Sequence, residues 1–136
     1  MLYFTLPEMV NNLKFNTFLI NLHKTKPEYF KFNFQFFSIN GNFNYTLWNG
    51  ELNNNFGEFS FYKYLNISKK YDIPIRFNCS NNLLKDKDFT DEYMNLILII
   101  NKKFNGYIEI EDIELMKYIK KNFPQYKFIL SFTNNL

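Results

Sequence analysis

One cysteine, one histidine and one tryptophan occur in 136 residues, with only four glycines and four prolines. A lone Cys79 excludes an internal disulfide and fits a reducing compartment. One His and one Cys also exclude the usual zinc ligand sets, and one thiolate cannot hold an iron–sulfur cluster, which wants about four. Long hydrophobic runs are missing too. The longest aliphatic run, Leu96–Ile100, is far short of the roughly 20 residues that span a bilayer. Met1–Pro7 lacks a basic region followed by a long apolar core, so it does not read as a signal peptide. The net charge of +3 is too small to imply DNA, RNA or an anionic membrane as partner. There is no P-loop, no Gly-x-Gly-x-x-Gly, no Gly-x-Ser-x-Gly, no repeat and no Gly/Ser linker. These absences lead to the expectation of a single cytoplasmic domain over residues 1–136, with no metal and no cofactor.

What the chain has in excess is Phe (18), Tyr (10) and Asn. Together with Lys and Ile these are the residues that AT-rich coding favours. An aromatic platform for nucleic acid would need the rings exposed on a sheet beside basic residues, whereas here they fall mostly at periodic core positions.

Residues 73–131 read strand, helix, strand, helix, strand, a pattern that argues for βαβ units and a parallel sheet. Ile75, Phe77 and Cys79 alternate with Arg76 and Asn78, giving a strand over Ile73–Cys79. Phe89, Tyr93, Leu96, Ile97, Ile100 and Phe104 recur at spacings of three and four, giving a helix over Phe89–Phe104 capped by Asp88 or Thr90 and stopped by Asn105-Gly106. Tyr107–Ile110 is a strand. Asp112 caps a helix whose buried face is Leu115, Met116, Ile119 and Phe123, and Pro124 ends it. Lys127–Ser131 is the last strand. Upstream, Thr5-Leu6-Pro7-Glu8 has the form of a capping box, so a helix is predicted from there to about Lys24, with a break near Asn12 and one further turn at Pro27–Phe30. Lys31–Ile39 alternates as a strand, Asn40-Gly41-Asn42 breaks it, Phe43–Gly57 is a long loop, and Phe59–Lys70 is a helix buried through Phe61, Tyr64 and Leu65. The predicted fold is therefore α/β: a partial, half (β/α) TIM-type barrel with about four parallel strands and an extra N-terminal helix.

Three local patterns resemble the early barrel of the collagenase-like peptidase family. They are Ile75-Arg-Phe-Asn-Cys-Ser-Asn-Asn-Leu-Leu84, Gly106-Tyr-Ile-Glu-Ile-Glu-Asp112, and Phe123-Pro-Gln-Tyr-Lys-Phe-Ile-Leu-Ser131 continuing through Thr133 to Asn135. The resemblance covers less than half of the chain and implies a TIM-type barrel. The cysteine-rich signature of that family has no counterpart here, so the resemblance implies fold rather than activity.

In a barrel the working face is the C-terminal edge of the strands. The predicted edge carries Asn40, Asn42, Ser80, Asn81, Asn82, Glu111, Ser131, Thr133 and Asn134, with Trp48 in the long loop above it. These are uncharged hydrogen-bonders plus one acid, which suits a small neutral polar ligand such as a sugar, amide or peptide; Asn after a strand is also ordinary turn chemistry. Trp48 has two readings, a lid over the ligand or a packing residue. Glu109, Glu111 and Asp112 offer either a divalent-cation or acid–base cluster, or a helix cap beside two solvated or paired carboxylates. Cys79 and His23 are the only candidates for a nucleophile and its base, and Cys79 alternates with core residues. Two functions follow: a barrel-derived enzyme or ligand binder, and a non-catalytic interaction module completed by a homodimer or by a C-terminal half-barrel. Nucleic-acid binding ranks a distant third. A four-stranded half leaves two open edges and one bare face, so either the N-terminal helix plugs that face or a partner covers it.

Overall fold

The computed structural model describes residues 1–7, 9, 12–41, 47–49 and 59–131. Five strands, β1 (Leu2–Leu6), β2 (Phe34–Gly41), β3 (Ile75–Cys79), β4 (Tyr107–Ile110) and β5 (Lys127–Leu130), alternate with four helices, α1 (Leu13–Thr25), α2 (Phe59–Tyr71), α3 (Glu92–Lys103) and α4 (Ile113–Asn122). The strands form one sheet in the order β1-β2-β3-β4-β5, and every neighbouring pair is parallel. A sheet that grows in one direction through right-handed crossovers carries all its helices on one side. The result is an α/β half-barrel.

The two faces of the sheet differ as this topology requires. One row, Phe77–Ile108–Phe128, and the next, Cys79–Ile110–Leu130, share the face toward the helices, with Leu130 on the edge strand half-exposed. Phe77, Cys79 and Ile108 are fully buried there, against Ile97 and Leu98 of α3 and Leu115 and Ile119 of α4 in one core. The intervening rows, Arg76–Tyr107–Lys127 and Asn78–Glu109–Ile129, face the other way. Between Phe4 and Thr5 the β1–β2 register shifts by one residue, so Phe4 pairs with Phe36 but Thr5 with Ser38. Such a bulge re-aims a side chain. Phe37 turns its ring onto Tyr107, 4.7 Å between centroids, while Ile39 stays in the core.

Local chemistry accounts for the helix ends. Asp91 Oδ1 accepts from Met94 N at 2.8 Å and starts α3, and Asp112 Oδ1 accepts from Leu115 N at 2.7 Å and starts α4. Asp72 (φ 54°) and Asn105 (φ 57°) end α2 and α3 in the left-handed region, which these two residue types tolerate better than most. Phe123 closes α4 before Pro124.

Four expectations need correction. Thr5 is no helix cap: it lies in β1, where its hydroxyl meets Ser38 Oγ at 3.0 Å. The chain therefore has a fifth strand, and α1 starts only after Asn12. α1 is the β1–β2 crossover rather than a plug. Its His23 packs on Phe34 and Phe36, on the helix side of the sheet. Asn40 and Gly41 extend β2 instead of breaking it. Finally, α3 is capped by Asp91, while the Asp88 carboxylate accepts from Lys85 N. Its buried stripe is Met94, Ile97, Leu98 and Asn101, and Leu96 is 52% exposed. Leu96 to Ile100 is apolar all round, so the 3.6-residue period could not choose the face.

Candidate functional site

The register puts Ser80, Glu111 and Ser131 at one level, immediately beyond the paired row Cys79–Ile110–Leu130. The ladder continues past the strands, with Glu111 N donating to Cys79 O (3.4 Å) and Ser131 N to Ile110 O (3.1 Å). Ser131 Oγ donates to Glu111 Oε1 at 3.2 Å. Residues 47–49 are tied to this edge by bonds from Ser80 and Asn81. Ser80 Oγ donates to Asn49 O (2.6 Å), Asn81 N to Trp48 O (3.0 Å), and Asn81 Nδ2 to Leu47 O (2.7 Å). Asn81 Oδ1 accepts from Leu83 N. Trp48 is fully buried, its indole N–H donating to Asp88 O at 2.8 Å and its ring edge-on to Tyr118. Of the two readings of Trp48, the packing one is what the fold contains.

The remaining edge residues separate. Asn82 is exposed. Asn40 pairs with Arg76, four residues before Ser80, which places it about 13 Å lower along the strand direction. Asn42, Thr133 and Asn134, with most of the loop 43–57, lie outside the described residues. The polar atoms at the C-terminal edge are thus largely engaged with one another, fastening the 47–49 turn to the end of β3.

The face of the sheet opposite the helices, on which no helix packs among the described residues, holds a second polar group. Arg76 Nε lies 3.1 Å from Glu109 Oε2, with side-chain exposures of 22% and 17%. The Nε–H is not aimed along that line, so this is a charge contact rather than an aligned hydrogen bond. Asn40 Oδ1, on the strand position paired with Arg76, is buried and has no hydrogen-bond partner among the described residues. Phe37, Tyr107 and Lys127 flank the pair, Tyr3 edging Phe37 at 6.2 Å and Lys127 Nζ lying 5.5 Å from the Tyr107 ring centroid. Sequence reading had Glu109 among the acids but gave Arg76 no part. The available signal was the alternation in β3 and β4. Strands covered on both faces read as continuous apolar runs, and these do not.

The other chemistries do not assemble. Cys79 is completely buried, and desolvation first, then the nearby Glu109 charge, pushes its thiol far above the ordinary 9.0. That is the opposite of what a nucleophilic thiolate needs. His23 Nε2 donates to Phe34 O at 2.9 Å. With Ile39 paired with Ile75 and one residue of β2 taken up by the bulge, Phe34 and Cys79 are eight residue rises apart, about 26 Å along the strands. Asp112 caps α4, Glu109 faces Arg76 and Glu111 accepts from Ser131, so the three acids do not converge. Among the described residues no group of three or more His, Cys, Asp or Glu could hold a metal ion, and no helix is long and apolar enough to cross a membrane.

No protein-family model, curated protein or solved structure matches the chain.

Proposed function

We propose that this chain is a non-catalytic interaction module whose sheet face opposite the helices is covered by a second copy of itself. One observation carries the reading. The face of a parallel sheet opposite its helices bears a largely desolvated Arg76–Glu109 contact and a buried Asn40 oxygen with no partner among the described residues. Parallel sheets are ordinarily buried on both faces, and buried polar groups ordinarily have hydrogen-bond partners. A second copy related by a two-fold axis brings its own Arg76 and Glu109 to the same place, so each charge meets its opposite across the interface. Tyr107, Phe37 and Ile129 supply the apolar contact around that centre. The open backbone edges of β1 and β5 favour the same association.

The large rings Phe34, Phe36, Phe77 and Phe128 lie on the helix side and take no part in it. The face opposite the helices is mixed polar and aromatic instead. A neutral polar ligand at the C-terminal edge is the second reading, supported by the level row Ser80, Glu111 and Ser131. We rank it lower because the donors of Ser80 and Asn81 are spent within the chain. Kinship with the collagenase-like peptidase barrels rests on the three sequence patterns alone. The test is sedimentation equilibrium at micromolar concentration. A dimer supports the proposal, and a soluble monomer across the range rejects it.

A further inference from the structure

On the opposite side of the sheet, α1 stands off β1 and β2. Only Asn16 and Ile20 of its 13 residues are buried, against four of twelve in α3. Between α1 and β1–β2 lies a recess of about 480 Å³, within the roughly 300–1,000 Å³ typical of small-molecule sites. Phe4, Phe34 and Phe36 form its floor, Phe15 and Leu19 its roof, and Phe32 part of its mouth.

The recess is braced. The Phe34 ring stands edge-to-face against Phe4 and Phe36, 5.2 Å from each, and tilted against His23 of α1 at 4.3 Å. These ring contacts fix the floor and hold α1 to it at His23. Strands below and α1 above make the space an open-sided slot, with Phe4, Phe15 and Phe32 partly exposed along it.

Its chemistry is one-sided. Among the described residues none of the lining side chains is charged, and the polar ones, Thr5, Asn12 and Asn16, lie on the adjoining ends of β1 and α1. The Thr5 hydroxyl is engaged with Ser38 and Asn16 Nδ2 donates to Pro7 O, each at 3.0 Å, while Asn12 is exposed. A carboxylate or ammonium entering here would lose water and meet no opposite charge. An apolar body with an uncharged hydrogen-bonding end meets apolar walls and an Asn-bearing end. We propose that this slot binds one neutral aliphatic chain carrying an uncharged polar end group, as in a long-chain alcohol or a monoacyl ester of a polyol.

The experiment is titration calorimetry of the full chain with 1-decanol and with decanoate. One saturable 1-decanol site per chain is expected, with decanoate weaker by roughly tenfold or more. Leu19→Trp fills the slot and abolishes binding. Phe32→Ser alters only the exposed mouth and weakens binding by roughly tenfold, so it decides the matter if the Trp variant does not fold. Absence of saturable binding, equal affinity for decanoate, or unchanged affinity in the variants would each overturn the proposal. So would 1-decanol dissociating a dimer mole for mole, which would make the slot the seat of a second copy.

Discussion

Gly106 sits at the turn between α3 and β4, and its substitution by Ala has a sign that depends on one neighbour. Its φ is not in the left-handed region, so alanine is conformationally acceptable there. In such a place Gly→Ala normally stabilises by about 0.4–1 kcal/mol, through the unfolded chain. Here the added Cβ would fall inside the side chain of Asn101, whose Oδ1, Cγ and Nδ2 are the three nearest atoms. Asn101 is completely buried and cannot swing aside freely. Its Nδ2 donates to Tyr107 O at 3.3 Å, and Gly106 N donates to Asn101 O at 3.0 Å. Displacing it costs overpacking of about 1–3 kcal/mol, together with about 1–3 kcal/mol for a buried amide that loses its partner. Gly106→Ala should therefore destabilise by about 1–5 kcal/mol net. In an Asn101→Ala background the obstructing atoms are gone, and the same substitution should become neutral or stabilising. Urea unfolding of the four proteins in this double-mutant cycle gives the coupling energy directly. Equal effects of Gly106→Ala in both backgrounds would refute the packing at this turn.

Ile119→Ala should cost about 2–5 kcal/mol, because Ile119 is fully buried in the core, whereas the exposed neighbour Lys120→Ala should stay within about 0.5 kcal/mol; urea unfolding distinguishes them. Burial raises the Cys79 thiol above 9.0 and the Tyr126 phenol above 10.0. Both groups are protonated in either state below those values. As pH rises past about 9 the unfolded chain ionises first, so stability falls, and Cys79→Ala should flatten the onset of that fall in alkaline denaturation curves. The same burial predicts that a thiol reagent modifies Cys79 only after unfolding by urea.

The parts of the fold that could be read from the sequence are those where one period dominates. β3 alternates cleanly, α4 has a single apolar stripe, and Asp112 and Pro124 mark its ends. β1 was hidden by a conflicting local signal, since Thr5 and Glu8 stand at capping-box spacing and Leu2–Leu6 has no clean alternation. That spacing is satisfied equally well by a strand whose threonine meets a serine on the next strand, and only pairing with β2 decides between them. The bulge at Phe37 was invisible for the same reason: it exists in the register between two strands, not in either one. At the edge, Ser80, Glu111 and Ser131 were correctly placed together by counting to the ends of their strands. Asn40 was not, because its level depends on how far β2 slides against β3. The slot under α1 also lay beyond reach, since alternation shows that Phe34 and Phe36 share a face but not how closely a helix approaches it.

The covered sheet face is best tested by asking which surface becomes protected as copies meet. In a Cys79→Ala background, one cysteine is placed at Asn78 on the face opposite the helices and, in a second protein, at Lys117 on the exposed side of α4. Labelling rates are then followed from nanomolar to micromolar protein. The account predicts that the rate at Asn78→Cys falls as concentration rises while that at Lys117→Cys does not change. Concentration-independent labelling at both positions would contradict it.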